Sequence, residues 1–471
     1  MATRSYLIML IILSAVMLAC SNSYIDKIKR GSDFNYKPGF PELRIASTAF
    51  IDTANTAHLL ISGDIVYGSL IYSENDDFLE AEFSVIITVT KDGNSQELYV
   101  SESFQDTLRG DGEEVIYSQD VYKFEREYPI TPGNYTTEVV LIDNNSRKRN
   151  TKSVATSVPA KDSTESAINN VSLLTKDSSI ENADFKQATT YHLPSKYDSL
   201  KFQFQVINNS PNTAFNFNMR LLKFQNDSSI ARPLNFRNYT PSSLPYAGIE
   251  YDEFDVLESS IRSFSQQGNV IIEYNFQDLP KGNYRLEVRS DNDSSNEIYK
   301  AIDFSIKNTN FPAVKTSYEL AGPLYYIMDE KEHDKLMKID DPQEMKNAID
   351  RFWLSNIQNS VIAKSVVSMY YERVEEANKL FSNYKEGWKT DPGMVHILFG
   401  PPLQIDSFPD EMTWFYTYNR YDPEERFEFN LSKIRSKYFP FDNYLLDRSD
   451  VYFNPQLKQI QKWRSGAILR N

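Results

Sequence analysis

From residue 43 onward the chain alternates apolar and polar positions with a period of two. The stretches HLLISGDIVYGSLIY (58–72) and LEAEFSVIITVTKDGNSQELYV (79–100) read as strands, the second folded back at Asp92-Gly93 as a hairpin. YPITPGNYTTEVVLIDNNSRK (128–148) adds a turn at Pro132-Gly133, a strand over Tyr135–Ile142 and a polar stop at 143–146. The closing element returns as PKGNYRLEVRSDNDSSN (280–296), so that Gly133-Asn134-Tyr135 matches Gly282-Asn283-Tyr284 and Glu138-Val139 matches Glu287-Val288, at a constant offset of 149 residues. LKFQFQVIN (200–208), FNFNMRLLKF (215–224) and NVIIEYNF (269–276) supply further alternating segments between the copies. A turn, an alternating strand and a polar stop repeated in one register predict two related β-sandwich domains of immunoglobulin-like kind, at 43–160 and 161–310. Polar stretches at 157–166 and 308–316 separate and end them.

The period changes near residue 340. Asp341-Pro342-Gln343-Glu344 is a helix start, with Asp as cap, Pro in the first turn and Glu placed for a capping box. Ile349, Phe352, Trp353, Ile357, Val366, Met369, Tyr370, Val374, Ala377 and Phe381 then recur at helical spacing, with a break into two helices over 356–360. In YKEGWKTDPGMVHILFGPP (384–402), Asp-Pro-Gly reads as a turn. Met394–Phe399 reads as a strand, with Val395, Ile397 and Phe399 on one side, and Gly400-Pro401-Pro402 stops it. MTWFYTY (412–418) and RFEFNL (426–431) predict the rest of a small antiparallel meander, and PQLKQIQKWRSGAILR (455–470) a closing helix. The expected architecture is two β-sandwiches, a linker over 311–340 and an α+β domain over 341–471.

Composition supports a folded, sheet-rich chain: 41% hydrophobic, with 30 Tyr and 29 Phe against 16 Gly in 471 residues. A net charge of −15 argues against nucleic-acid binding. His58, His192, His333 and His396 lie far apart, so no metal site is expected, and no cofactor-binding motif is present.

The first residues read differently. Arg4 precedes an apolar run, Tyr6–Leu18, that is too short to span a bilayer and fits a signal-peptide core. It ends in Met17-Leu18-Ala19-Cys20, at the only Cys of the chain. This stretch resembles a bacterial lipobox, with Met17 in place of the usual Leu. The resemblance implies a signal peptide at 1–19, lipidation of Cys20 and a tether over 20–42. Ser21 after the Cys, and the lack of an acidic run there, point to an outer-membrane protein anchored on the periplasmic face.

Gly387-Trp388-Lys389-Thr390-Asp391, the apolar run behind it and Gly400-Pro401-Pro402 resemble the GWxTD domain family. Phe352-Trp353, Tyr371-Glu372-Arg373-Val374 and Trp414-Phe415-Tyr416 also sit as in that family, and the resemblance covers about 320–471. Family members are exported proteins or lipoproteins of Bacteroidota and related phyla, and the family implies no established activity. Pro392 stands where the family commonly has a basic residue. Thr390, Asp391 and His396 could in principle do chemistry, but no Ser or Cys nucleophile lies near them in sequence, so no catalytic residues are assigned. Gly387, Trp388, Thr390, Asp391, Gly400, Pro401, Pro402 and Trp414 are candidates for either a partner-docking groove or a packed corner. The expected function is a non-enzymatic lipoprotein of the cell envelope, a structural or accessory subunit of an outer-membrane protein complex serving export or outer-membrane protein assembly. The alternatives are glycan binding and, behind it, an envelope hydrolase.

Overall fold

In a computed structural model of the chain, the described residues are 28–29, 36–75, 78–93, 97–158, 166–209, 214–236, 248–290, 298–432 and 441–470. The expected signal peptide, Cys20 and most of the 157–166 linker lie outside them.

The alternating segments form two sandwiches of one design. In the first, β1 (Leu43–Ile51), β2 (Ala57–Val66) and β5 (Val121–Ile130) make a three-stranded sheet in that order. It faces a sheet in which β3 (Phe78–Lys91) lies between β4 (Glu97–Gly110) and β6 (Gly133–Asp143), with β7 (Arg149–Val158) outside β6. In the second sandwich, β8 (Ser172–Lys176), β9 (Ser199–Asn208) and β12 (Gly268–Gln277) repeat the first sheet. Strands β11 (Ile249–Phe264), β10 (Phe215–Asn226), β13 (Gly282–Ser290) and β14 (Tyr299–Lys307) repeat the order of β4, β3, β6 and β7. Each core is built from the inward positions of both sheets: Leu59, Ile61, Phe83, Val85 and Leu141 in one, Phe202, Phe204, Phe217, Leu286 and Phe304 in the other.

The repeated Gly-Asn-Tyr has one physical role in both copies. Tyr135 and Tyr284 are fully buried, and each hydroxyl donates back to a backbone carbonyl four residues upstream, Thr131 and Pro280. Lys91 and Lys223, each on the neighbouring strand, lie over the two rings at 5.6 and 5.9 Å. This tyrosine corner pins the entry of the strand to the turn before it.

One contrast between the copies matters for function. Strand β6 alternates buried and open positions, whereas β13 and β14 are buried on nearly every residue. The outer face of their sheet meets the C-terminal region at Asn283 and Lys307 and is otherwise filled by its own ion pairs and rings, so alternation is lost there. On that face Arg285 pairs with Asp303 through bonds of 2.7 and 2.9 Å. Asn283 donates to the carbonyl of Tyr384 (2.9 Å).

The C-terminal region contains helices α1 (Ser317–Ala321), α2 (Glu330–Leu336), α3 (Pro342–Asn356), α4 (Ser360–Phe381), α5 (Asp391–Phe399) and α6 (Phe453–Ser465). They pack on an antiparallel sheet of β15 (Gln404–Ser407), β16 (Glu411–Phe415), β17 (Arg426–Leu431) and β18 (Tyr444–Leu446). The architecture is therefore β-sandwiches followed by an α+β unit. Asp341 accepts from the Glu344 backbone as the cap of α3, and Asn359 caps α4.

Three expectations need correction. Residues 311–340 are part of the C-terminal core and not a linker: Thr316 and Glu319 form a reciprocal capping box, and Ala321, Leu324, Tyr326, Ile327 and Leu336 are buried in that core. The described part of the expected tether is also held in the fold. Ile28–Lys29 pairs in parallel with β14, and Glu42 is buried against Arg44 and Lys379. Finally, Met394–Phe399 is the helix α5 and not a strand. Apart from His396 the residues of that run are apolar, and all but Phe399 are buried, so the run lacks the polar face that marks a helix, and so short a run fits either period.

Candidate functional site

The motif begins where α4 ends. The chain turns over residues 382–386 and lays Gly387–Lys389, one short 3-10 turn, back across the last turn of α4. A Cβ on Gly387 would stand 1.9 Å from the Ala377 carbonyl oxygen, and one on Gly393 would stand 1.9 Å from the Gly387 carbonyl oxygen. Both glycines are demanded by backbone contact. Asn378, buried on α4, accepts from the Trp388 backbone N–H (3.2 Å) and donates to the Pro312 carbonyl (2.8 Å). Trp388 is buried, its carbonyl accepts from the Tyr326 hydroxyl (2.6 Å), and its ring meets Tyr326 edge-on.

Thr390 caps α5. Its hydroxyl accepts from Gly393 N–H (3.1 Å) and donates to the Gly387 carbonyl (2.7 Å). Asp391 follows in the first turn, where a carboxylate is favoured by the helix dipole. It is 5% exposed. One oxygen accepts from Arg448 Nη2 (2.7 Å), and the other accepts from Arg448 Nη1 (2.7 Å) and the Leu446 N–H (2.8 Å). Arg448 also donates to the carbonyls of Pro233 and Arg232, in the loop after β10. Asp391 therefore ties three pieces together: the start of α5, the end of β18 and the second sandwich.

The far end of α5 is closed as thoroughly. The Leu398 carbonyl accepts from Gln459 (2.8 Å), Trp463 Nε1 (3.0 Å) and Arg373 (3.4 Å), and Ile397 accepts from Arg373 (3.3 Å). A cation at this end complements the dipole as Asp391 does at the other. Gly400 takes φ +86°, and a Cβ there would meet Arg373 at 2.9 Å. The Gly400 carbonyl accepts from Tyr416 (2.6 Å). Pro401 is exposed and Pro402 half-buried, so the Gly-Pro-Pro tail leads out to the surface. Trp414 is buried between Phe381 and Phe429.

His396 lies on α5 but points to Glu376 on α4 (2.9 Å). That hydrogen bond holds the Glu376 carboxyl below its ordinary value, against the opposing effect of burial. Both Asp391 oxygens and the Thr390 hydroxyl are committed elsewhere, so the three residues do not form a relay. Among the described residues no group of three His, Cys, Asp or Glu side chains is placed to hold a metal ion. Beside the motif, burial pushes the Glu386 carboxyl up, but Lys389 at 2.6 Å and Lys307 hold it below its ordinary value. Burial brings the Lys307 ammonium down to about 8.

Arg448, Asn378, Gln459 and Trp463 were not singled out from sequence as site residues. Arg448 sits 57 residues from Asp391 in a polar stretch without periodicity. Only Arg373 was marked, within the quoted Tyr371–Val374 segment.

The family model for the GWxTD domain matches residues 286–465. The chain carries a GWxTD domain. Its matched span opens inside β13, in the part of the second sandwich that the helical region covers. No curated protein matches the chain. Among solved structures, red sea bream transglutaminase is similar over 57% of this chain and 31% of its own, at 9% identity and a TM-score of 0.19. Dimeric latent PorU from Porphyromonas gingivalis is similar over 58% of this chain and 21% of its own, at 11% identity and a TM-score of 0.21. The chain thus matches about a third and a fifth of the length of these two proteins, and neither likeness bears on fold or activity.

Proposed function

We propose that this chain is a lipid-anchored, non-enzymatic protein of the outer membrane, held by Cys20 on the periplasmic face, and that it acts as a structural or accessory subunit of a protein assembly there. The observation that carries this reading is the state of the motif. Every polar side chain of Thr390-Asp391 and its Arg448 partner is used inside the fold. A motif spent on internal bonds is a joint, and neither docks nor reacts. Docking belongs instead to the open edge of the C-terminal sheet, where Leu403, Ile405 and Phe408 are exposed and Tyr418 and Tyr421 are 92% and 90% exposed. Such a patch suits an envelope protein partner, in complexes serving export or outer-membrane protein assembly.

Two measurements test this. Cys20→Ser is expected to release the chain from the membrane fraction. A photoreactive side chain at 418 or 421 is expected to crosslink one outer-membrane protein in cells, and one at 391 to crosslink none. Equal crosslinking from 391, or none from 418 and 421, would overturn the reading. The two open tyrosine rings also favour a second reading, sugar stacking. A rise in melting temperature with envelope polysaccharide, lost in Tyr418→Ala, would select it.

A further inference from the structure

Strand β11 is an open edge. Among the described residues its 16 residues pair only with β10. Phe254, Val256, Leu257 and Ile261 along it are 37%, 48%, 42% and 72% exposed. Register slips leave Leu257 and residues 251–253 without opposite residues, but from Glu258 to Phe264 the ladder against β10 is unbroken. Long apolar edges are a liability that proteins blunt or cover.

The matching edge strand of the first sandwich, β4, also pairs on one side only among the described residues, but its inward side chains are tied to the facing sheet. On β4, Glu102 accepts from Arg126 and Tyr128, and Asp106 accepts from Tyr122, all three donors being on β5. On β11 the equivalent sealing is partial. Tyr274 donates to Ser260 (3.2 Å) and Arg262 lies over the Tyr274 ring (4.8 Å). The Glu258 backbone joins the ladder with β10, but its side chain makes no hydrogen bond or ion pair among the described residues. Glu258 and Arg262 share a strand face, yet four strand residues place them about 13 Å apart, too far to pair with each other.

We propose that β11 pairs with β11 of a second copy of this chain, antiparallel and with the two-fold axis at Ser260. This register sets Glu258 of each molecule opposite Arg262 of the other, twice. It places the remaining acids, Glu250, Asp252, Glu253 and Asp255, opposite uncharged residues between 265 and 270 of the second copy, where they do not face one another. Ile261 of each copy becomes a diagonal neighbour on the outer face, and the second-sandwich sheets of both molecules join into one. The proposal is independent of the docking surface at 403–421.

Sedimentation equilibrium of the full chain in density-matched detergent tests it. The wild type is expected at twice the mass of the mature chain. Glu258→Arg and Arg262→Glu, both surface changes, are each expected to weaken the dimer by more than roughly tenfold, since like charges then face each other. The double variant Glu258→Arg/Arg262→Glu is expected to restore it, with the circular dichroism of the folded chain unchanged throughout. A monomeric wild type, single variants that dimerise as the wild type does, or a double variant that stays monomeric would each overturn the proposal. A monomeric wild type that binds a basic, alternating peptide along β11 would assign the edge to a different partner.

Discussion

Asp391 and Arg448 meet through two bonds of 2.7 Å, and both residues are buried. Removing one member strands the other, which costs about 3–5 kcal/mol. Asp391→Leu and Arg448→Met are each expected to lose that much in urea unfolding, and the double variant to lose less than the sum. Additive losses would mean that the pair is not coupled. Lys307 makes a pH prediction. Its folded value of about 8 lies below its ordinary 10.5, so between these values the unfolded chain binds more protons than the fold. The burial cost is complete below 8 and is relieved as pH rises through that window. The wild type should therefore gain stability relative to Lys307→Met as pH climbs from 8 to 10.5; a flat difference between the two would count against the buried charge. The turn after Thr390 was legible in the sequence, but its capping of a helix was not, because the run behind it reads as a strand. The role of Arg448 was not legible either, because nothing local marks a partner 57 residues away.

At the scale of elements, the sandwiches were legible because their strands bury one face and so alternate. The repeated tyrosine was legible as a repeat, and the structure supplies its cause. Tyr135→Phe and Tyr284→Phe each remove one hydroxyl bond to a turn carbonyl, and each should cost about 1 kcal/mol. The losses should add, since the two sit in separate cores; a neutral effect at either site would remove the corner from the account. Helix α5 was misread for a physical reason. It is sheathed by α4, α6 and the C-terminal sheet, so its sequence carries no polar stripe, and Pro392-Gly393 resembles a turn although it occupies the first helical turn after the Thr390 cap. The 311–340 stretch was misread because its short helices show less than two turns of period.

For the whole molecule, the two sandwiches differ in what surrounds them. The first shares Ile207 of the second in its core and bonds to Gln205 and Asn169 at Ile51 and Ala49, but its outer sheet face alternates toward solvent. The second presents β13 and β14 to the C-terminal region, with Lys307, Arg285 and Asp303 buried there. Residues 36–158 expressed alone should unfold cooperatively, whereas residues 166–307 alone should be insoluble or partly unfolded, because the covered face would open to water. A stable, monodisperse 166–307 fragment would show that the cover is dispensable. The GWxTD motif stands at this joint: it fixes α5 against α4 and, through Arg448, against the loop after β10. The most direct measurement of that claim is hydrogen exchange on folded Asp391→Asn. Amides of 391–399, of Leu446 and of 231–234 should exchange faster together, while β1–β7 keep wild-type protection. Unchanged exchange at all three segments would contradict the motif's role as the joint.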